Sequence, residues 1–119
     1  MGMKVNGTSG LTFPDTTTLA SAGQASVQAW VNFNGTGTVA IRAAYNVTSI
    51  TDGGSGIYTV NFTTAMPDAN YALNAQSNLT TWSGAETLFD TVGASSFRIV
   101  IYENGNLTDK SIVCANIFR

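Results

Sequence analysis

The sequence predicts an all-β fold: an antiparallel β-sandwich, jelly-roll-like, of about eight strands, with an extended N-terminal arm. Three observations predict it. First, apolar residues recur with a period of two. In residues 27–33, Val27, Ala29, Val31 and Phe33 alternate with Gln28, Trp30 and Asn32, as in a strand with one face in a core. Second, turn-forming clusters separate such runs: Asn34-Gly-Thr-Gly, Asp52-Gly-Gly-Ser-Gly and Asn104-Gly105. Third, no segment carries the 3.6-residue apolar period of a helix. Short strands joined by short turns close into a sandwich or a barrel. A chain of 119 residues is long enough for one core. The expected division is an arm over residues 1–26 and a β-sandwich head over 27–119.

The elements follow in chain order. Residues 4–26 are polar and small, with Val5, Leu11, Phe13 and Leu19 as the large apolar side chains. Such a segment cannot bury enough surface to fold alone and reads as a flexible leader. In the strand 27–33, Trp30 falls on the polar side. It is covered by another element, covered by another subunit, or serves as a binding platform. Asn34-Gly supplies the positive φ angles of a tight hairpin turn, and Thr36-Gly37 allows a longer loop or a bulge; no lysine and no helix follow, so it is not a phosphate loop. Residues 38–43 form a second strand with Val39 and Ile41 on one face. Arg42 points the other way, to pair with Asp52 or Glu86 or to face a ligand. Residues 45–51 read as a third strand, with Tyr45, Val47 and Ser49 on one side. After the glycine-rich turn, residues 57–63 place Tyr58, Val60 and Phe62 in the core. Pro67 removes a backbone donor and restricts Met66, so 64–70 is a crossing loop between sheets. Residues 71–77 turn Tyr71, Leu73 and Ala75 inward, and 78–86 is a polar loop. A strand at 87–92 precedes 97–102, which is apolar at nearly every position and hence central. Asn104-Gly105 tips the last hairpin. The closing strand 112–118 is apolar on both faces and suits a sandwich interior or a subunit interface.

Composition narrows the function. Charged residues make up 10% of the chain and the net charge is −2, against about a quarter charged in ordinary soluble domains. Charge depletion is the mark of buried interface cores, so an oligomer is expected. The five basic residues are scattered, which excludes the clustered cations that nucleic acid requires. No apolar run is long enough to span a bilayer, and no signal-peptide pattern is present. There is no histidine and one cysteine. These exclude a histidine base, an intramolecular disulfide and a Cys/His zinc set; Cys114 reads as a small core residue. No spacing among the seven carboxylates selects a catalytic pair. Asp52-Gly-Gly-Ser-Gly lacks the ligand pattern of a calcium loop. The expectation is therefore no enzyme, no metal and no cofactor. The candidate binding residues are Trp82, Asn78, Thr81 and Glu86, an aromatic platform among hydrogen-bonding groups suited to carbohydrate. The competing readings fold Trp82 back as a lid over the core or seat it against a neighbouring subunit.

Two stretches carry a family resemblance. Gly10-Leu-Thr-Phe-Pro-Asp-Thr-Thr resembles the repeating linker of bacteriophage fibre shafts. The segment 29–71, through Tyr45-Asn-Val-Thr-Ser-Ile-Thr-Asp-Gly-Gly-Ser-Gly-Ile-Tyr and Ala-Met-Pro-Asp-Ala-Asn-Tyr71, resembles a module near the C-terminal ends of tail-fibre and related virion proteins. The resemblance implies a non-enzymatic virion protein, the homotrimeric terminal head of a tail fibre. Its expected partners are sister chains, other virion proteins and a host-surface polysaccharide. Leu11 and Phe13 would pack on neighbouring chains, and receptor specificity would lie after Tyr71. The alternatives are a capsid decoration (cement) protein that braces the shell and a lectin-like carbohydrate-binding module.

Overall fold

The structure, a computed structural model, describes residues 4–6, 10–12, 18–19, 27–78 and 84–119. Three short strands, β1 (Lys4–Asn6), β2 (Gly10–Thr12) and β3 (Thr18–Leu19), pair antiparallel with one another. The body from residue 27 onward is all-β, with no helix among the described residues. One sheet contains β4 (Val27–Asn34), β5 (Ala40–Tyr45), β8 (Ala72–Ser77) and β12 (Val113–Phe118), in the order β5-β4-β12-β8. The other contains β6 (Val47–Asp52), β7 (Ile57–Phe62), β9 (Ala85–Asp90) and β10 (Ser96–Glu103). Its order is β6-β7-β10, with β9 on the other flank of β10 and the short β11 (Asn106–Leu107) closing the β10 hairpin. All pairings are antiparallel. The first and last strands of the body, β4 and β12, lie side by side in the middle of their sheet.

The core lies between the sheets and follows the alternation in the sequence. β4 contributes Ala29, Val31 and Phe33; β12 contributes Val113, Ala115 and Ile117. Facing them are Tyr58, Val60 and Phe62 of β7 and Phe97, Ile99 and Ile101 of β10. Each large side chain so buried contributes about 1.5–3 kcal/mol. Edge-to-face aromatic contacts, Phe33 on Tyr58 at 5.2 Å and Phe62 on Tyr71 at 5.8 Å, tie the sheets together. The segment with Pro67 crosses from β7 to β8 as expected, and the glycine-rich and Asn104-Gly105 turns close their hairpins. Asn104 and Gly105 both take positive φ (54° and 77°), the geometry of a tight two-residue hairpin loop.

Three expectations change. Residues 45–51 are not one strand: β5 ends at Tyr45, and β6 begins at Val47 in the opposite sheet. Asn46, at φ 55°, makes the corner, a left-handed position that asparagine tolerates. Its Oδ1 accepts the Thr64 N–H (2.7 Å), and its Nδ2 donates to the carbonyls of Gln28 (3.2 Å) and Thr64 (3.1 Å). The chain changes sheet there, so Val47 enters the core while Tyr45 stays outside. Second, β10 and β12 are central in their sheets but buried on one face. Arg98, Val100, Tyr102 and Cys114 are half-exposed on the other. Cys114 thus belongs to an outer face, opposite Asn32 and Gln76, because β12 keeps a period of two. Third, the positive φ of the first turn falls on Gly37 (59°), while Asn34 Oδ1 accepts both the N–H (3.0 Å) and the hydroxyl (2.6 Å) of Thr36. Gly35 is required for another reason. It packs so closely that a Cβ would sit 2.4 Å from the Tyr58 hydroxyl oxygen.

Polar groups close one end of the sandwich. The Tyr58 hydroxyl lies 2.8 Å from both Gly35 O and Asp109 Oδ1, and Asp109 Oδ1 also accepts the Gly56 N–H at 2.8 Å. Burial first, and then Asp109, raise the Tyr58 pKa well above the ordinary tyrosine value. Beside this knot Lys110 donates to Glu103 at 2.5 Å, both side chains inside the protein.

Candidate functional site: an exposed aromatic face

The four residues picked out in the loop after β8 have different fates. Thr81 and Trp82 lie outside the described residues. Asn78 is a fastening. Its Oδ1 accepts the Ile112 N–H (3.0 Å), its Nδ2 donates to Ser111 Oγ (3.1 Å), and its own N–H donates to Ile112 O (3.1 Å). The side chain ties the end of β8 to the start of β12. Glu86 is exposed on β9, directly across from Tyr102 on the neighbouring strand β10, in the sheet that does not contain β8.

A different surface gathers binding chemistry: the outer face of β5-β4-β12-β8. Trp30 is 38% exposed and Tyr45 56% exposed. They are directly opposed on neighbouring strands. Across the other side of Trp30 stands Asn116, and beyond it Asn74. The adjacent row runs Ala43, Asn32, Cys114, Gln76. The four strands of this sheet contain no Asp or Glu and a single Arg. Arg42 does not pair with Asp52 or Glu86. It donates to Asn32 Oδ1 (3.2 Å) and to Ser111 O (2.6 Å), at a position where the β4–β5 register slips by one residue. The face is thus two exposed aromatic rings in a field of neutral amides.

At the corner where Tyr45 hands over to β6, the surface deepens into an open notch of about 380 Å³ lined by Gln28, Tyr45, Asn46, Thr63 and Thr64. The three hydrogen bonds of Asn46 make it a fixed wall. Thr63 Oγ1 shares one bond with Thr48 Oγ1 (2.7 Å). Among the described residues the hydroxyls of Tyr45 and Thr64 have no hydrogen-bond partner.

The opposite outer face is different. Ile57, Val100 and Leu88 are aligned across β7, β10 and β9, with Tyr102 and Leu107 beside them. A two-pronged ion pair flanks this strip: Arg98 Nε and Nη2 donate to Asp90 Oδ1 (2.7 Å) and Oδ2 (2.6 Å). Those bonds hold the Asp90 pKa below its ordinary value.

Four of the described carboxylates are each engaged by a separate group: Asp68 by Arg119, Asp90 by Arg98, Glu103 by Lys110, and Asp109 by Tyr58 and Gly56. Among the described residues no group of three or more His, Cys, Asp or Glu side chains is placed to hold a metal ion. Among the described residues no helix is long and apolar enough to cross a membrane. Comparison with known protein families, characterised proteins and solved structures finds no match.

Trp30 signalled this face in the sequence, as a large aromatic on the polar register of its strand. Tyr45 gave no such signal. Its outward placement depends on the corner at Asn46, and the alternation by itself grouped it with Val47.

Proposed function

We propose that this chain is a non-enzymatic attachment domain, the terminal head of a bacteriophage tail fibre, and that the outer face of β5-β4-β12-β8 holds a polysaccharide of the host surface. The observation that carries the binding part is the pair Trp30 and Tyr45, exposed side by side on a carboxylate-free, amide-lined sheet. An indole or phenol ring offers an apolar face to the C–H side of a sugar ring and keeps a polar edge for its hydroxyls. Surrounding amides supply both donors and acceptors. The virion setting rests on the resemblance of the Gly10-Leu-Thr-Phe-Pro-Asp-Thr-Thr motif and of segment 29–71 to fibre proteins. A homotrimer is part of the proposal. The low charge of the chain and the apolar strip Ile57, Val100, Leu88 support sister chains on that opposite face.

The test is retention of labelled protein on host cells. Trp30→Ala and Tyr45→Ala should each reduce retention at least tenfold with the melting temperature preserved. Unchanged retention by both variants would refute this face as the site. Antibody labelling of tail tips in electron micrographs supports the fibre assignment, and labelling of the capsid shell replaces it with the cement-protein reading. A stable monomer at micromolar concentration in sedimentation refutes the trimer.

A further inference from the structure

We propose that the notch beside Asn46 is a subsite for the terminal residue of a neutral glycan chain, while Trp30 and Tyr45 support the residues that follow it. The inference rests on the attachment reading above and names the ligand class of the same face. A flat aromatic surface holds sugar rings by their C–H faces and lets them slide, so it does not by itself select a chain end. Selection needs depth and directed polar groups. The notch adjoins Tyr45, where β5 ends and the chain leaves for the other sheet. Its 380 Å³ lies at the small end of the range of ligand pockets, about 300–1,000 Å³. That is room for one or two sugar rings.

Its polar groups are ready for use. The Thr64 and Tyr45 hydroxyls face no protein partner among the described residues, and Thr63 Oγ1 retains capacity beyond its bond to Thr48. Asn46 is locked by its three hydrogen bonds, so the wall is formed before ligand arrives, which lowers the ordering cost of binding. No residue lining the notch is charged. Arg42, the one cation of the sheet, is held by Asn32 and Ser111. An acidic terminal sugar would enter the notch with no counter-charge, whereas a neutral one exchanges hydroxyl for hydroxyl.

The test is an array of neutral and acidic oligosaccharides, attached through their reducing ends and probed with wild type, Trp30→Ala, Thr64→Val and Tyr45→Phe, each checked by a thermal melt. The expected result is capture of neutral chains sharing one terminal residue and competition by that free monosaccharide. Binding should change little between about 50 and 500 mM NaCl, because no ion pair is involved. Thr64→Val and Tyr45→Phe should each weaken it about tenfold. If Trp30→Ala abolishes binding while Thr64→Val and Tyr45→Phe bind as wild type and monosaccharide does not compete, the notch proposal fails and the attachment face stands. Salt-sensitive capture of acidic chains alone overturns the neutral-ligand assignment. Failure of wild type to bind any chain, on the array or on host cells, overturns the attachment reading and the notch with it.

Discussion

Lys110 and Glu103 form an ion pair inside the protein, and removing one partner should cost far more than removing both. Their side chains are 0% and 8% exposed, with 2.5 Å between Nζ and Oε2. At an effective dielectric of about 20, opposite charges at that separation attract by roughly 7 kcal/mol. Stripping water from the two ions costs several kcal/mol each, so the pair is close to balanced. Lys110→Met keeps the aliphatic stem and removes the ammonium, leaving the Glu103 carboxylate buried without it. The expected loss is about 3–5 kcal/mol, a large share of the 5–15 kcal/mol typical of a whole domain. The double variant Lys110→Met/Glu103→Leu replaces the pair with apolar volume. It should return to within about 1 kcal/mol of wild type or exceed it. Urea titration at neutral pH, followed by circular dichroism, measures all three proteins, with an unchanged m-value as the check on two-state behaviour. A single-variant loss below about 1 kcal/mol, or a double variant no more stable than Lys110→Met, would refute the argument.

Tyr58→Phe should cost about 1.5–3 kcal/mol, because it withdraws a hydroxyl shared by Asp109 and Gly35 at the closed end of the sandwich. The same residue sets an alkaline limit. Its folded pKa lies above the ordinary 10.0, so the neutral hydroxyl stabilises the fold below pH 10 and that contribution falls as the unfolded chain ionises at higher pH. Wild-type melting temperature should drop above about pH 10, and Tyr58→Phe should drop less steeply. Asp90 behaves in the opposite sense. Its hydrogen bonds from Arg98 lower its pKa below 3.8, so its contribution is present above that value and disappears as pH falls through the folded pKa. Asp90→Asn should flatten the acid limb of stability against pH; an unaltered limb would show the pair to be thermodynamically silent. Asn78→Ala should lose about 1–2 kcal/mol through its bonds to Ser111 and Ile112 and leave glycan retention as in wild type. Loss of retention at full stability would move the site to the loop after β8.

The amino-acid sequence by itself determined the all-β class, the main turns and most of the core. Those properties are local: alternation in 27–33, 57–63 and 71–77 sets which side chains point inward, and glycine and asparagine clusters set where strands stop. The low charge and the missing histidine likewise came from composition. Tertiary structure alone decided which strands share a sheet and what their outer faces display. Tyr45 joins Trp30 because a single left-handed residue, Asn46, held by groups 18 positions away on either side, sends the next strand across the core. Asn78 became a fastening because β12 arrives beside β8 from the far end of the chain. Each of these depends on contacts between residues distant in sequence, which alternation and turn chemistry do not encode, since both act over a few neighbouring positions while a sheet's outer face is assembled from strands that meet only after folding.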